Sequence, residues 1–254
     1  MDIKIERIKT GVPGLDDVLN GGIPKGSVVL LSGPTGSGKT ILGLQFIVNG
    51  AELYNERGVY ISFEENRRDL VEQAAMFGWD IERLEKEGKI RLMNIEKDHV
   101  FYLERILGDI KKSFSPQRVV IDSITFYYTY GMIYTLTKEY MRSKDSFATE
   151  QALRYAGDLA VRSTIFNLVS KLKNLGFTSI MISEGEENKL SKDGVSEFVA
   201  DGIIFIQYMS IASDIFSNIE VKKLRKTAHK KGLYPVYIRK NGLEVGYEEG
   251  AVLK

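Results

Sequence analysis

Residues 33–40 read Gly-Pro-Thr-Gly-Ser-Gly-Lys-Thr, and no other stretch restricts the architecture as tightly. The spacing Gly33-x4-Gly38-Lys39-Thr40 is that of a loop whose backbone N–H groups turn inward around phosphate oxygens. Such a loop works only between a buried strand and a helix, because the helix N-terminus adds positive partial charge. Both neighbours are present: an apolar run at Val28–Ser32 and a helical pattern over Lys39–Tyr54. Gly33, Gly36 and Gly38 supply the backbone freedom, with Pro34, Thr35 and Ser37 between them. Lys39 is placed to reach the β- and γ-phosphates of a nucleoside triphosphate, and the Thr40 hydroxyl to ligate Mg²⁺. The rival reading is a flexible Gly-rich turn before a helix. With Gly at about 7% of average composition, a chance match is on the order of one in a hundred.

The rest of the chain alternates short β-branched runs with longer helical patterns. Strands are expected at Val28–Ser32, Val59–Phe63, Arg91–Ile95, Arg118–Asp122, Thr178–Ser183 and Ile203–Gln207. Runs this short and continuously apolar suit a parallel sheet covered on both faces. Helices are expected at Lys39–Tyr54, Arg67–Phe77, Val100–Lys112 and Leu153–Leu175. The alternation reads as an α/β fold with crossover helices. From about Ile219 the pattern becomes strand-like and basic, then Gly-punctuated, which suggests a C-terminal β meander on the main sheet. The whole chain, 1–254, reads as one domain. Thr125–Tyr155 stands out as an aromatic stretch, holding Phe126, Tyr127, Tyr128, Tyr130, Tyr134, Tyr140 and Phe147. Aromatics stack on single-stranded bases, but more often pack a lid or a subunit contact.

A phosphate loop needs an acid at the end of a neighbouring strand. Val119-Val120-Ile121-Asp122 supplies the pattern, and Asp122 there holds a magnesium-bound water. On its own, Asp122 reads equally well as a helix N-cap. Glu64 and Glu65 end the run Val59–Phe63. In an open α/β sheet ligands sit beyond the carboxyl ends of the strands, so runs ending at Ser32, Phe63, Ile121 and Ser183 converge on one place. Two adjacent carboxyls there raise one another's pKa and poise one as a base toward water. The alternative is a solvated pair opening a loop.

Composition removes several classes of chemistry. The chain has no Cys, so disulfides, thiolate catalysis and Cys-based zinc sites are excluded, and its two His residues do not favour a His-rich metal site. Net charge is +1, which gives no global attraction to nucleic acid or acidic membranes. The N-terminus alternates charged and apolar residues without a signal-peptide core. Apolar runs such as Ile203–Ile206 are too short to span a bilayer. The expected location is the cytoplasm.

With these residues in view the chain resembles a known family. Thr10–Gly26 (Thr-Gly-Val-Pro-Gly-Leu-Asp-Asp-Val-Leu-Asn-Gly-Gly-Ile-Pro-Lys-Gly) followed by strand and loop looks like the entry to a RecA/RadA-like ATPase. The Glu64-Glu65 pair, Lys223-Leu224-Arg225, His229, Lys231-Gly232 and Tyr234-Pro235 narrow this to the KaiC-like branch. The resemblance covers roughly 8–246, as a single copy of that domain. It implies a RecA-like P-loop NTPase core with a mostly parallel central sheet flanked by helices and a C-terminal β extension. Glu64 and Glu65 become the catalytic carboxylates, Asp122 the acid on the magnesium side, and Ser183 and Glu184 the γ-phosphate sensors. Lys223, Arg225, His229 and Lys231 become groups that reach ATP on a neighbouring subunit of a hexameric ring. Independently, residues 223, 225, 227, 229 and 231 have the period of a strand, which would put four basic side chains and Thr227 on one face. A solvated basic strand or a nucleic-acid patch fits the same pattern. Where phosphorylatable members carry adjacent Ser-Thr before a Thr-Asp, this chain has Glu197-Phe198 before Ala200-Asp201. Mg-dependent ATP hydrolysis without autophosphorylation of that kind is therefore expected. A DNA-binding recombinase paralogue and a regulatory ATP switch with negligible turnover are the alternatives. The acidic start of the 184–196 loop, Glu-Gly-Glu-Glu, does not favour nucleic acid.

Overall fold

Pairs of buried runs joined by helices produce the expected layered α/β architecture. The computed structural model describes residues 4–142, 150–186, 189–211 and 214–246, and their side chains except at 97–98, 134–142, 150–155, 210–211 and 214. The chain opens with β1 (Arg7–Ile8), α1 (Leu15–Val18) and β2 (Ile23–Pro24), then β3 (Val28–Gly33), α2 (Lys39–Tyr54) and β4 (Gly58–Ser62). Next come α3 (Arg67–Met76), α4 (Ile81–Lys86), β5 (Ile90–Asn94), a 3₁₀ turn over Lys97–Tyr102, α5 (Leu103–Ser113) and β6 (Arg118–Asp122). A pair of long helices, α6 (Ile124–Arg142) and α7 (Glu150–Asn174), leads to β7 (Thr178–Glu184) and α8 (Ser196–Val199). The chain ends in β8 (Gly202–Ile211), β9 (Asp214–Leu224), β10 (Tyr234–Arg239) and β11 (Gly242–Val245).

Among the described residues the main sheet has nine strands in the order β11-β10-β9-β8-β3-β7-β6-β4-β5. Strands β8 through β5 run parallel, and β9, β10 and β11 are added antiparallel. Apolar residues cover both faces. Val29, Leu31, Tyr60, Val120, Ile180 and Ile182 face a core built with α2, and Val28, Leu30, Ile61, Val119, Ile121 and Met181 face one built with α5, α6 and α7. This double burial is why the strands read as unbroken hydrophobic runs rather than alternating ones.

Three expectations change. The helix expected over Val100–Lys112 splits into a 3₁₀ turn and α5. The aromatic segment is helical on both sides: α6 runs to Arg142 and α7 begins at Glu150, close-packed where a Cβ on Gly131 would lie 3.3 Å from Thr164. Residues 143–149, with Phe147 and Lys144, and the side chains of Tyr134, Tyr140 and Arg154 lie outside the described residues. The basic segment leaves the strand almost at once: Lys223 is in β9, which stops at Leu224, and Arg225 and Lys226 form a turn with Lys226 at φ 58°. The reason is pairing. Strand β8 begins at Gly202, opposite Leu224, so beyond that point β9 has no neighbour on that side. The segment is pinned by Arg7, which donates to the Thr227 hydroxyl at 2.9 Å and the Lys226 carbonyl at 3.1 Å, and by Lys230, whose N–H donates to Val18.

One buried cation ties the core to the chain start. The Arg118 side chain is fully buried. It pairs with Glu56 at 2.5 Å and donates to the carbonyls of Phe46 (2.9 Å) and Lys9 (2.7 Å). Burial lowers its pKa, and the Glu56 charge opposes that shift. The guanidinium passes α2 only because residue 50 is Gly: a Cβ there would lie 2.5 Å from Arg118 Cδ. Gly50→Ala is expected to destabilise by roughly 2–3 kcal/mol through overpacking. Its thermal midpoint should fall by about 5 °C or more in a chain of this size, read by circular dichroism.

Candidate functional site

Strand order places the site. Strand β7 lies between β3 and β6, with Ser183 opposite Ser32, Glu184 opposite Gly33 and Ile182 opposite Asp122. Strand β4 flanks β6 with Ser62 opposite Asp122. The carboxyl ends of four parallel strands therefore open onto one cleft of about 300 Å³. The 33–40 loop and the start of α2 form one wall, and Glu64, Glu65, Asp122, Ser183 and Glu184 the other.

The loop geometry is set by its glycines. Gly36 and Gly38 sit at φ 78° and 91°, where a side chain is strained, and Gly38 starts α2. The Lys39 ammonium folds back to donate to the carbonyls of Gly33 (3.0 Å) and Pro34 (2.7 Å). Burial lowers its pKa, and the charges of Asp122, Glu184 and Glu64 act against that shift. The Ser37 hydroxyl is buried and has no partner. An orphaned buried hydroxyl costs free energy unless an acceptor or donor meets it. A loop that lines the cleft with Thr35, Gly36 and Gly38, one ammonium beside them and a helix N-terminus behind them, fits a phosphate chain.

Across the cleft, the Thr40 hydroxyl donates to Asp122 Oδ2 at 2.9 Å. Burial raises the Asp122 pKa, and hydrogen bonds from Tyr60 and Thr40 hold it back down. A hydroxyl and a carboxylate side by side at a phosphate loop are the hard oxygen donors that suit Mg²⁺, which takes one or two protein ligands and completes its shell with phosphate and water.

The two glutamates are held apart. Glu64 accepts from the Ser123 hydroxyl, across the Asp122–Ser123 peptide, which is cis. Glu65 accepts from the Gln73 amide of α3, while its backbone N–H and carbonyl are bound by Ser62 at 3.0 and 2.7 Å. The Glu65 carboxyl is pushed above its ordinary value, chiefly by burial; the Gln73 amide opposes this, and Asp122, Asp69 and Glu64 add to it. Burial, not the neighbouring Glu64 charge, is therefore the main cause at Glu65, contrary to the expectation for the pair.

Ser183 and Glu184 bridge the walls. The Ser183 and Thr125 hydroxyls lie 3.4 Å apart, and Thr35 donates to Glu184 Oε1 at 3.4 Å. Lys192, from the 184–196 loop, pairs with Glu184 and holds its pKa below the usual value.

The four basic residues are elsewhere. Lys223 Nζ donates to the carbonyls of Glu197 (3.0 Å) and Phe198 (3.2 Å), and Arg225 pairs with Asp201 at 3.3 Å. The Asp201 N–H donates to the Val28 carbonyl, so this cluster sits at the first residue of β3. The phosphate loop begins five residues later, roughly 16 Å away at strand rise. His229 Nδ1 is buried without a partner, and Lys231 follows in the same coil. None of these four lines the cleft.

Sequence reasoning missed Tyr60, Gln73, Ser123, Thr125 and Lys192 as members of the site. Only Tyr60 carried a signal, as a polar-tipped aromatic inside an aliphatic strand.

Comparison with known proteins agrees with this geometry. A family model described as "ATPase: KaiC" matches residues 8–148 and 145–250. The circadian clock oscillator protein KaiC of Nostoc sp. is 34% identical over 254 residues, covering 95% of this chain, and that of Synechococcus elongatus is 31% identical over the same share. The chain spans 44% of the length of these relatives. Among solved structures, the KaiC-like protein PH0186 of the hyperthermophilic archaeon Pyrococcus horikoshii OT3 matches with a TM-score of 0.79 at 34% identity, over 96% of this chain and 100% of that one. With a RecA-like sheet, a phosphate loop facing acidic strand ends and these matches along its length, the chain belongs to the KaiC family of ATPases.

Proposed function

We propose that this chain binds ATP with Mg²⁺ at the 33–40 loop and hydrolyses it, in a site completed by a neighbouring copy in a ring. The observation that carries the reading is the convergence of Lys39, the Thr40–Asp122 pair and Glu64-Glu65 on one cleft. The loop amides and Lys39 hold the β- and γ-phosphates. Thr40 and Asp122 would hold Mg²⁺, which when bound neutralises charge developing on the phosphates. Glu64 or Glu65 accepts a proton from the attacking water, a role that requires the ionised form. Ser183 and Glu184 lie on the strand-end wall beside Thr125, so in this reading a change at the phosphate end is passed to the root of α6. Lys223, Arg225, His229 and Lys231 act on the site of the next subunit in this reading, since none of them lines the cleft of this chain.

Water rather than a protein hydroxyl is the acceptor in this reading. Glu197 and Phe198 carry no hydroxyl, and Ser196 beside them is buried with its hydroxyl donating to Asp193 at 2.9 Å. A cytoplasmic location fits a chain in which no helix among the described residues is long and apolar enough to cross a membrane.

Mass in solution with and without Mg-ATP, measured alongside phosphate release, tests the reading. The expected result is a ring-sized assembly that forms or tightens with nucleotide and releases phosphate over hours or faster. A monomer that binds ATP and releases no phosphate on prolonged incubation sinks both the ring and the hydrolase and leaves an ATP switch.

A further inference from the structure

Tyr60 has a feature that packing alone does not require. It lies at the centre of β4, 1% exposed, between Val59 and Ile61. Neighbouring strands offer aliphatic side chains at the paired positions, Leu92 on one side and Val120 on the other. Yet the Tyr60 hydroxyl runs past them to donate to Asp122 Oδ2 at 2.5 Å. Thr40 donates to that same oxygen. One carboxylate oxygen therefore receives two hydroxyls, one from the helix that opens the phosphate loop and one from a strand.

A second observation shows that room was made for this contact. Residue 43, one turn after Thr40, is Gly, and a Cβ there would lie 3.2 Å from Tyr60 Cε2 and 3.1 Å from side chains of Val120 and Ile182. Helix α2 thus settles closely on the sheet at this turn, with the Tyr60 ring against its backbone. The ring is fixed on all sides, so its hydroxyl is a rigid donor, whereas Thr40 sits on the cleft wall and is free to turn its lone pairs outward.

We infer that Tyr60 is a positioning residue for the magnesium-side carboxylate: its hydroxyl fixes the rotamer of Asp122 and occupies one oxygen, leaving the other presented to the cleft. The inference rests on the assignment of Thr40 and Asp122 to Mg²⁺. Groups that hydrogen-bond a metal's own ligand are worth about 10–100-fold in metal affinity. Tyr60 is buried and does not line the cleft, so its hydroxyl acts through Asp122.

Tyr60→Phe removes the hydroxyl and keeps the ring. The probe is a fluorescent, non-hydrolysable ATP analogue, whose binding is followed in EDTA and across a Mg²⁺ series. The Mg²⁺ concentration at half effect is expected to rise about tenfold in Tyr60→Phe, with the affinity in EDTA and the thermal midpoint close to wild type. Loss of affinity in EDTA and in magnesium alike, or a Mg²⁺ midpoint equal to wild type, overturns the inference. Asp122→Asn run in parallel separates the two levels. If it shifts the Mg²⁺ midpoint and Tyr60→Phe does not, only the role of Tyr60 falls. If Asp122→Asn also leaves the midpoint unmoved, the magnesium assignment falls with it.

Discussion

Lys39→Ala is expected to weaken ATP binding about ten- to a hundredfold and to abolish phosphate release, whereas Glu64→Gln and Glu65→Gln keep ATP bound and lose release alone. The split follows from what each side chain faces. Lys39 is the cation inside the loop, held by the Gly33 and Pro34 carbonyls until phosphate replaces them. A hydrogen bond to a charged group contributes about 1.5–3 kcal/mol, so its removal weakens binding by about one to two orders of magnitude. The glutamates stand on the far wall, and Gln matches their shape while being unable to take a proton. Loss of a general base lowers turnover by about 10²–10⁴-fold. The two need not contribute equally. Burial raises the Glu65 pKa, so less of it is ionised as pH falls. If Glu65 is the base, turnover declines on the acid side at a pH above the usual carboxylate range, and Glu65→Gln removes that limb. Phosphate release across pH, with equilibrium binding of ATP to each variant, checks all of this. Wild-type release by Glu64→Gln and Glu65→Gln together would remove the catalytic assignment while leaving the phosphate loop intact.

The ease with which parts of this molecule read from sequence tracks how local their causes are. Helix Lys39–Tyr54 and strand Arg118–Asp122 have the bounds expected of them, because a loop motif starts the first and double burial makes the second a solid apolar run. The phosphate loop is contiguous, so its chemistry is written in eight consecutive residues. Asp122, Glu64 and Glu65 needed one further step, the rule that strand ends converge in a parallel sheet. Helix α4 was missed although Asp80 caps it through the Arg83 N–H, since six residues show too little period. The aromatic segment hid a helix because α6 packs against α7, the 3₁₀ turn and β7, and bulky residues on several sides blur a 3.6-residue repeat. Residues 223–231 show the opposite failure. Their odd-numbered positions carry basic and polar groups as a strand face would, although Lys226 and Lys230 fall between them, but a strand also needs a partner, and β8 begins at Gly202. Tyr60 and Gln73 depend on side-chain reach between elements, which no spacing rule encodes.

The same displacement of the basic segment leads to the prediction with the largest effect. Arg225 lies beside Asp201 at the opposite end of the sheet from its own phosphate loop, so any action on ATP must be on another copy's ATP. Its present partner is no obstacle: the Arg225 side chain is half exposed, and such pairs are worth about 0–1 kcal/mol. A triphosphate on the facing subunit offers more charge than Asp201, which is shared with Lys173 and the Val28 amide. Arg225→Ala is then expected to lower turnover by about 10³-fold or more, as loss of an arginine supplied in trans does elsewhere, with ATP affinity of the separated subunits unchanged. Mixing makes the test specific. A head-to-tail ring has one kind of interface, so when Arg225→Ala and Lys39→Ala subunits assemble at random in equal amounts, about a quarter of interfaces join an intact loop to an intact arginine. Each variant alone is silent, and the mixture recovers up to that fraction of wild-type phosphate release. Recovery requires that loop and arginine come from different chains. Its absence at every ratio, in mixtures shown to co-assemble, means that the arginine serves its own fold and not a neighbour's ATP.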